Sequence, residues 1–328
     1  MRGLWRGLCG EDAPTMIAGV MVNATAIVGI RRCLPCLVLL VLCGVFVAAP
    51  RSAALDERGA ASSLRLVSLN PSLTAIVLQL GRGDLLVGID DYSAKILPEL
   101  SELPRVGGLF DPSLESIVSL RPDLVLIVAG VDQQSHAERL EKLGLAVEIY
   151  RNERLDEVLE NIERLGAQLD RKQVAADRIR AILDMRDAVK RAAKGRIQPA
   201  TLAVVDRSPL FVVGADTFLD EMLESVGARN LARTLGQGYP RGSIEWLIGA
   251  GPELLLDMTP GAERASDFWA RWPSIPAVAA GRVIDVDASR ISLPGPDIDQ
   301  ALRELAVAVH GDEITAEIDR ALRKESVP

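Results

Sequence analysis

Two stretches of the chain, PSLESIVSLRPDLVLIV at residues 112–128 and GSIEWLIGAGPELLLDM at residues 242–258, align without a gap 130 residues apart. The paired positions are Ser113 with Ser243, Glu115 with Glu245, Pro122 with Pro252, and Asp123 with Glu253. A serine just before an apolar-periodic run is a helix N-cap, and an acid in the first turn complements the positive end of the helix dipole. Pro then ends the helix, and the Leu/Val/Ile run behind it has the composition of a buried strand. One cap–helix–Pro–strand unit used twice predicts two α/β lobes of similar construction.

Working outward, LRLVSLNP (64–71) reads as a strand and turn, PSLTAIVLQLG (71–81) as a helix stopped at Gly81, and DLLVGIDD (84–91) as a second strand. HAERLEKLGLAVEIY (136–150) adds a helix and a strand, which completes an N-terminal α/β lobe over 64–150. TLAVVDRSPLFVVG (201–214) and GADTFLDEMLESVGARNLA (214–232) open a second lobe over 198–290, and a C-terminal helix and tail fill 295–328. NPSLTAIVLQLG (70–81) and GADTFLDEMLESVG (214–227) form a weaker second correspondence at the starts of the two lobes.

Between the lobes, Leu155 to Lys194 contains no Pro and places Leu159, Ile162, Leu165, Leu169, Ile179, Ile182 and Leu183 at helical spacing. It predicts one connecting helix over 153–195, on the order of 60 Å long if unbroken. Strict heptads are not evident, which favours a helix joining two lobes over a coiled coil. The expected fold is therefore α/β, with two Rossmann-like lobes joined by a single long backbone helix. The cleft between the lobes is the natural ligand site.

A formal net charge of −8 and the lack of any basic cluster argue against a nucleic-acid partner. All four cysteines, Cys9, Cys33, Cys36 and Cys43, fall in the first 43 residues. The rest of the chain thus has no disulfide scaffold, thiolate metal site or cysteine nucleophile. Arg31 and Arg32 precede an apolar run from Cys33 to Ala49, with small residues after it, in the order of a secretory signal. Residues 1–54 read as a leader with the signal core at about 31–54. The run is shorter than the roughly 20 residues of an ordinary membrane span. Met16 and Met21 are alternative starts, and Leu42 is larger than a lipobox ahead of Cys43 prefers. The expected product is a soluble periplasmic protein. Losing five Arg and two acidic residues with the leader changes its formal charge from −8 to −11.

LRLVSLNPSLTAIVLQLG, LLVGIDDYS (85–93), LPRVGGLFDPSLESIVSLRPDLVLIVAG (103–130), PLFVVGADTFLDEMLESVGARN (209–230) and GSIEWLIGAGPELLLDMTP (242–260) together resemble a family of periplasmic binding proteins. These proteins deliver vitamin B12, haem or iron-siderophore complexes to ABC importers, and the resemblance is strongest to the vitamin B12-binding branch. It implies two lobes held by a rigid helix, a monomer when free, and transient docking to a dimeric permease in the inner membrane. It also implies that Glu115 and Glu245 meet arginines of that permease, one per lobe. A carboxylate on each lobe pairing with a basic pocket on each subunit fixes orientation through charge-assisted hydrogen bonds. First-turn helix stabilisation is the simpler role for both residues.

The resemblance places Tyr92 at the cleft edge and Phe110 where relatives carry a ligand-facing aromatic. Arg290 lies in a region resembling the family's last cleft loop. Arg207, and Tyr239 with Arg241, sit in second-lobe loops able to offer hydrogen bonds or charge. Trp269 and Trp272 lie near a plausible cleft loop, one to contact ligand and one to anchor it, while Trp246 is expected to pack beneath the docking surface. The transported ligand is expected to be a cobalt corrinoid, with haem or a ferric siderophore as alternatives. No resident cofactor or metal is expected, because His136 and His310 lie far apart and neither HxH nor HExxH spacing occurs. His136 as an axial haem ligand is a lesser reading than a solvated helix residue. An envelope enzyme and an envelope structural module are the alternatives from other classes. GxGxxG, GxxxxGK[ST] and GxSxG are absent from the body of the chain, which speaks against the enzyme.

Overall fold

The computed structural model describes residues 64–261 and 263–325. The expected leader, with its signal core and every cysteine, lies outside the described residues. In the first lobe, β1 (Leu66–Ser68), α1 (Pro71–Gln79), β2 (Leu86–Ile89), α2 (Asp91–Ile96), α3 (Leu114–Ser119), β3 (Leu124–Val128), α4 (Val131–Lys142) and β4 (Val147–Tyr150) alternate. Two further helices follow, α5 (Leu155–Gln168) and α6 (Lys172–Ala193). The second lobe begins with β5 (Ala200–Arg207), β6 (Leu210–Val212), α7 (Phe218–Ser225), β7 (Arg229–Asn230), α8 (Ile244–Ala250) and β8 (Leu254–Asp257). It is completed by α9 (Ala265–Trp269), α10 (Pro276–Ala279), β9 (Val283–Asp285), α11 (Ala288–Ile291), α12 (Ile298–His310) and α13 (Ile314–Glu325).

The first sheet is parallel throughout, in the order β2-β1-β3-β4. The second runs β6-β5-β8-β9, with β6 antiparallel to β5 and the short β7 also paired to β5. Strand side chains alternate between faces, and both faces are covered, as near-continuous apolar strands require. Leu66, Leu126, Leu254 and Leu256 face a core that passes through both lobes and includes Ile162 and Leu165 of α5, Ile182 of α6, Leu302 of α12 and Ile318 of α13. The opposite faces close separate cores, with Val67, Val125 and Ile127 in the first lobe and Leu202, Val204 and Leu255 in the second. The lobes therefore share one apolar interior.

The expected continuous helix over 153–195 is instead two helices broken at 169–171. Leu169 ends α5, Asp170 takes φ 55°, and the Arg171 amide bonds back to the Gly166 carbonyl at 2.7 Å. α6 then packs against α5 so closely that a Cβ on Gly166 would lie 2.3 Å from that of Ala175. Arg82 Nε holds the Leu169 carbonyl at 3.1 Å and ties the break to the first lobe. Asp tolerates the left-handed region better than most residues, so helical periodicity continued through a turn that lacks Gly or Pro. The expected C-terminal helix likewise resolves into α12 and α13, with Gly311 between them.

Candidate functional site

Open parallel sheets bind ligands in the crevice beyond the carboxyl ends of their strands, where strand order reverses. In the first lobe that point lies between β1 and β3, in the second between β5 and β8. The two lobes are pinned to each other by hydrogen bonds between their facing segments. Ser72 Oγ donates to the Pro294 carbonyl at 2.5 Å, the Phe218 amide to the Glu153 carbonyl at 2.6 Å, and the Leu155 amide to Glu221 Oε2 at 3.2 Å. Arg154 adds an ion pair to Glu221 at 3.1 Å.

On the first-lobe edge, Asp90 is fully buried and caps α2 by accepting from the amides of Tyr92 at 3.0 Å and Ser93 at 2.9 Å and from the Ser93 hydroxyl. Burial outweighs these bonds and raises the Asp90 carboxyl above its ordinary value. The cap sets Tyr92 half-buried at the start of α2. Its phenol is pushed up by burial, then by the charges of Asp287 and Asp90. Asp287 belongs to the other lobe, where it caps α11 by accepting from Ser289 N at 2.9 Å, so Tyr92 senses charge from both sides of the junction.

Phe110 is 44% exposed, in the loop between α2 and α3. Its carbonyl lies 3.4 Å from His136 Nε2 in the second turn of α4, while His136 Nδ1 is buried without a hydrogen-bond partner. Tyr239 packs on the shared core, and burial, then the charge of Glu153, pushes its phenol up to about 12. The segment carrying it runs beside β6, with Val212 N donating to the Pro240 carbonyl and Gly242 N to that of Leu210. Gly214 is required for this approach, since a Cβ there would meet the Gly236 carbonyl oxygen at 2.5 Å. Arg241 is exposed, and Arg290, also exposed, pairs with Glu304 at 2.5 Å.

Two second-lobe candidates have other employment. Trp269 is 0% exposed within the core of its lobe and donates through Nε1 to Asp257 Oδ2 at 2.5 Å, so it is a core residue and not a ligand contact. Its aromatic character and its position in a short, polar-flanked segment resembled a cleft loop, but α9 turns the ring inward. Arg207, with 9% of its side chain exposed, donates to the same Asp257 oxygen at 2.9 Å and to the Glu263 carbonyl at 3.1 Å. It also lies over the Phe268 ring at 4.7 Å, so its guanidinium is spent inside the lobe. Trp272 is half-buried beside Trp269, with ring centroids 5.6 Å apart, and Trp246 packs partly buried on the same core.

Residue-by-residue reading passed over Asp287 and Thr259. The Thr259 amide donates to Asp257 Oδ1 at 2.9 Å, just beyond β8, while its Oγ1 is buried with no hydrogen-bond partner. A single Thr after a strand carries no sequence signal, and Asp287 acquires its relation to Tyr92 only through the fold. Among the described residues, no group of three or more His, Cys, Asp or Glu side chains is placed to hold a metal ion, and no helix is long and apolar enough to cross a membrane.

The repeated motif has become repeated geometry. Ser113 Oγ accepts from Ser116 N at 3.2 Å and Ser243 Oγ from Trp246 N at 3.1 Å, with Glu115 and Glu245 exposed in the first turns of α3 and α8. Each helix ends in a left-handed residue, Arg121 at φ 48° and Gly251 at φ 60°. Asp123 Oδ2 then accepts from Arg65 N and Glu253 Oε2 from Ala200 N, both at 2.8 Å, which ties each motif to the amino end of the neighbouring strand. Since each helix runs back to that amino end, its start lies on the carboxyl side of the sheet, as the crevice does. Its own backbone amide and the Ser243 hydroxyl hold the Glu245 carboxyl below the usual carboxylate range.

A family model described as periplasmic binding protein matches residues 66–289. An uncharacterized ABC transporter substrate-binding lipoprotein of Bacillus subtilis is 27% identical, over 76% of this chain and 80% of its own length. A cobalamin-binding protein of Halobacterium salinarum is 29% identical, over 76% of this chain and 70% of its own. Among solved structures, the periplasmic heme-binding protein RhuT from Roseiflexus sp. RS-1 superposes with a TM-score of 0.66 at 26% identity, covering 77% of this chain and 99% of that one.

Proposed function

Because the chain belongs to the periplasmic binding protein family, a family of non-catalytic carriers that serve ABC importers from the periplasm, we propose that it captures a corrinoid between its lobes and hands it to an importer permease. The carrying observation is Tyr92, held by the buried Asp90 cap and close enough to Asp287 of the other lobe to feel its charge. An aromatic at this edge stacks on a large ring while its hydroxyl reaches polar substituents. Phe110 and Arg241 add an exposed ring and an exposed cation. Thr259 adds a hydroxyl without a protein partner. Arg290 contributes if its bond to Glu304 is exchanged, and Tyr239 backs the second-lobe wall. Arg207 and Trp269 take no part. A cobalamin-binding protein among the relatives supports the corrinoid. Docking is assigned to Glu115 and Glu245, whose identically capped helices offer one carboxylate from each lobe to basic pockets on the two permease subunits.

Haem is the second reading, favoured by the buried, unpartnered Nδ1 of His136 beside exposed Phe110 and by a haem-binding protein among the structural relatives. Spectral titration of the purified protein with cobalamin, hemin and a ferric siderophore decides between them. The corrinoid reading expects a saturable cobalamin shift, weakened about three- to tenfold in Tyr92→Ala. A hemin Soret shift lost in His136→Ala, with no cobalamin binding, replaces it by haem.

A further inference from the structure

The outward sides of α3 and α8 match in more than their acids. From Ser113 to Leu120 and from Ser243 to Ala250, exposure follows one order at all eight positions: exposed, half-buried, exposed, half-buried, buried, exposed, exposed, half-buried. The sixth position is Val118 in one helix and Ile248 in the other, exposed by 37% and 36%. Ser119 and Gly249 follow, too small to shield them. Residues three apart on a helix are neighbours on one face, with Cβ atoms about 5–6 Å apart, so each lobe displays a branched aliphatic beside its carboxylate. A single exposed aliphatic is ordinary. Two at equivalent places of an internal repeat, each next to an equivalent acid, form a pattern.

Resting on the docking reading above, we propose that Val118 and Ile248 are the apolar contact points of the docking surface. Each seats in an apolar hollow beside the basic group that receives Glu115 or Glu245, one hollow on each permease subunit. The occupant is identified by charge complementarity and by number. Neither Glu115 nor Glu245 makes an ion pair among the described residues, and a pair of like footprints suits a two-fold partner with a basic centre and an apolar rim. Covering an aliphatic next to a forming carboxylate–guanidinium pair excludes water from that pair, as the ring of contacts around an interface hot spot does.

The test uses the full mature chain and the ABC importer of the same host in lipid nanodiscs, with docking measured by interferometry. Val118→Ser and Ile248→Ser are each expected to weaken docking roughly three- to tenfold, given their partial exposure, with the losses multiplying in the double variant. Their thermal midpoints and ligand titrations stay at wild-type values. Glu115→Lys with Glu245→Lys abolishes docking. Serine variants that dock like wild type while the charge reversals fail overturn the apolar contacts and leave the docking reading standing. Wild-type docking by all of these variants overturns both. A dimer of the free chain that the double serine variant loses assigns the surface to a second copy and also overturns the proposal.

Discussion

Replacing Trp269 by Phe separates a core role from a ligand role in one protein. The indole is fully buried and its Nε1 donates to Asp257 Oδ2 at 2.5 Å, an oxygen that Arg207 Nε also reaches at 2.9 Å. A hydrogen bond to a charged group contributes about 1.5–3 kcal/mol, and the space left by the smaller side chain costs about 1 kcal/mol more. Asp257 keeps Arg207 and the Thr259 amide as donors. The loss therefore comes to about 3 kcal/mol, at the lower edge of the 3–5 kcal/mol typical of stranding a buried charge. For a chain of this size that lowers the thermal midpoint by about 6–12 °C. Trp272→Phe, at a half-buried ring that makes no hydrogen bond among the described residues, costs under about 1 kcal/mol. The assay pairs calorimetric melting with ligand titration well below the midpoint, where Trp269→Phe retains wild-type affinity. An unchanged midpoint together with lost affinity would refute the core assignment.

Gly166→Ala forces a Cβ to within 2.3 Å of that of Ala175 and lowers the urea midpoint by an amount equivalent to about 1–2 kcal/mol, the overpacking cost less the gain in helix propensity. Ala175→Gly in the same chain recovers part of it, and a strictly additive pair would show that the contact is absent. His310 donates from Nε2 to the Val226 carbonyl at 2.7 Å and is held below its ordinary 6.5, first by burial and then by Arg196 and Arg282, against the opposing bond to Val226 and the charge of Glu317. The native state therefore takes up a proton less readily than the unfolded chain, and stability falls as pH drops through 6.5 toward the folded value. His310→Gln, which can still donate to Val226, flattens the midpoint between pH 7 and 5, and an undiminished slope in that variant rules out the linkage.

The lobes were legible because their signals are local. Serine caps, first-turn acids and the Pro before each strand act within a few residues, and each cap hydrogen bond formed as expected. The apolar runs read as buried strands are so, with neighbouring residues of β3 and β8 facing opposite cores. The break after α5 was hidden because Asp170 adopts its left-handed conformation without the usual Gly. Nor does any local pattern record that Gly166 exists to admit Ala175. At the candidate site, Tyr92 is suggested by the family resemblance, whereas Asp287 comes near it only in the folded chain. Trp269 and Arg207 misled because a large aromatic or a cation near a loop looks the same whether it faces a crevice or a buried carboxylate. That distinction rests on Asp257, 50 residues from Arg207.

The duplicated footprint also bears on how an encounter is counted. The internal repeat pairs Glu115 and Val118 with Glu245 and Ile248, so the two-fold partner proposed above would meet like residues in either of two poses. Two equivalent poses are worth a statistical factor of two, about 0.4 kcal/mol in association free energy. The degeneracy is incomplete, because Ser116 stands where the other helix has Trp246, and Arg121 where it has Gly251. Under the proposed docking, those mismatches are what would set one pose apart from the other.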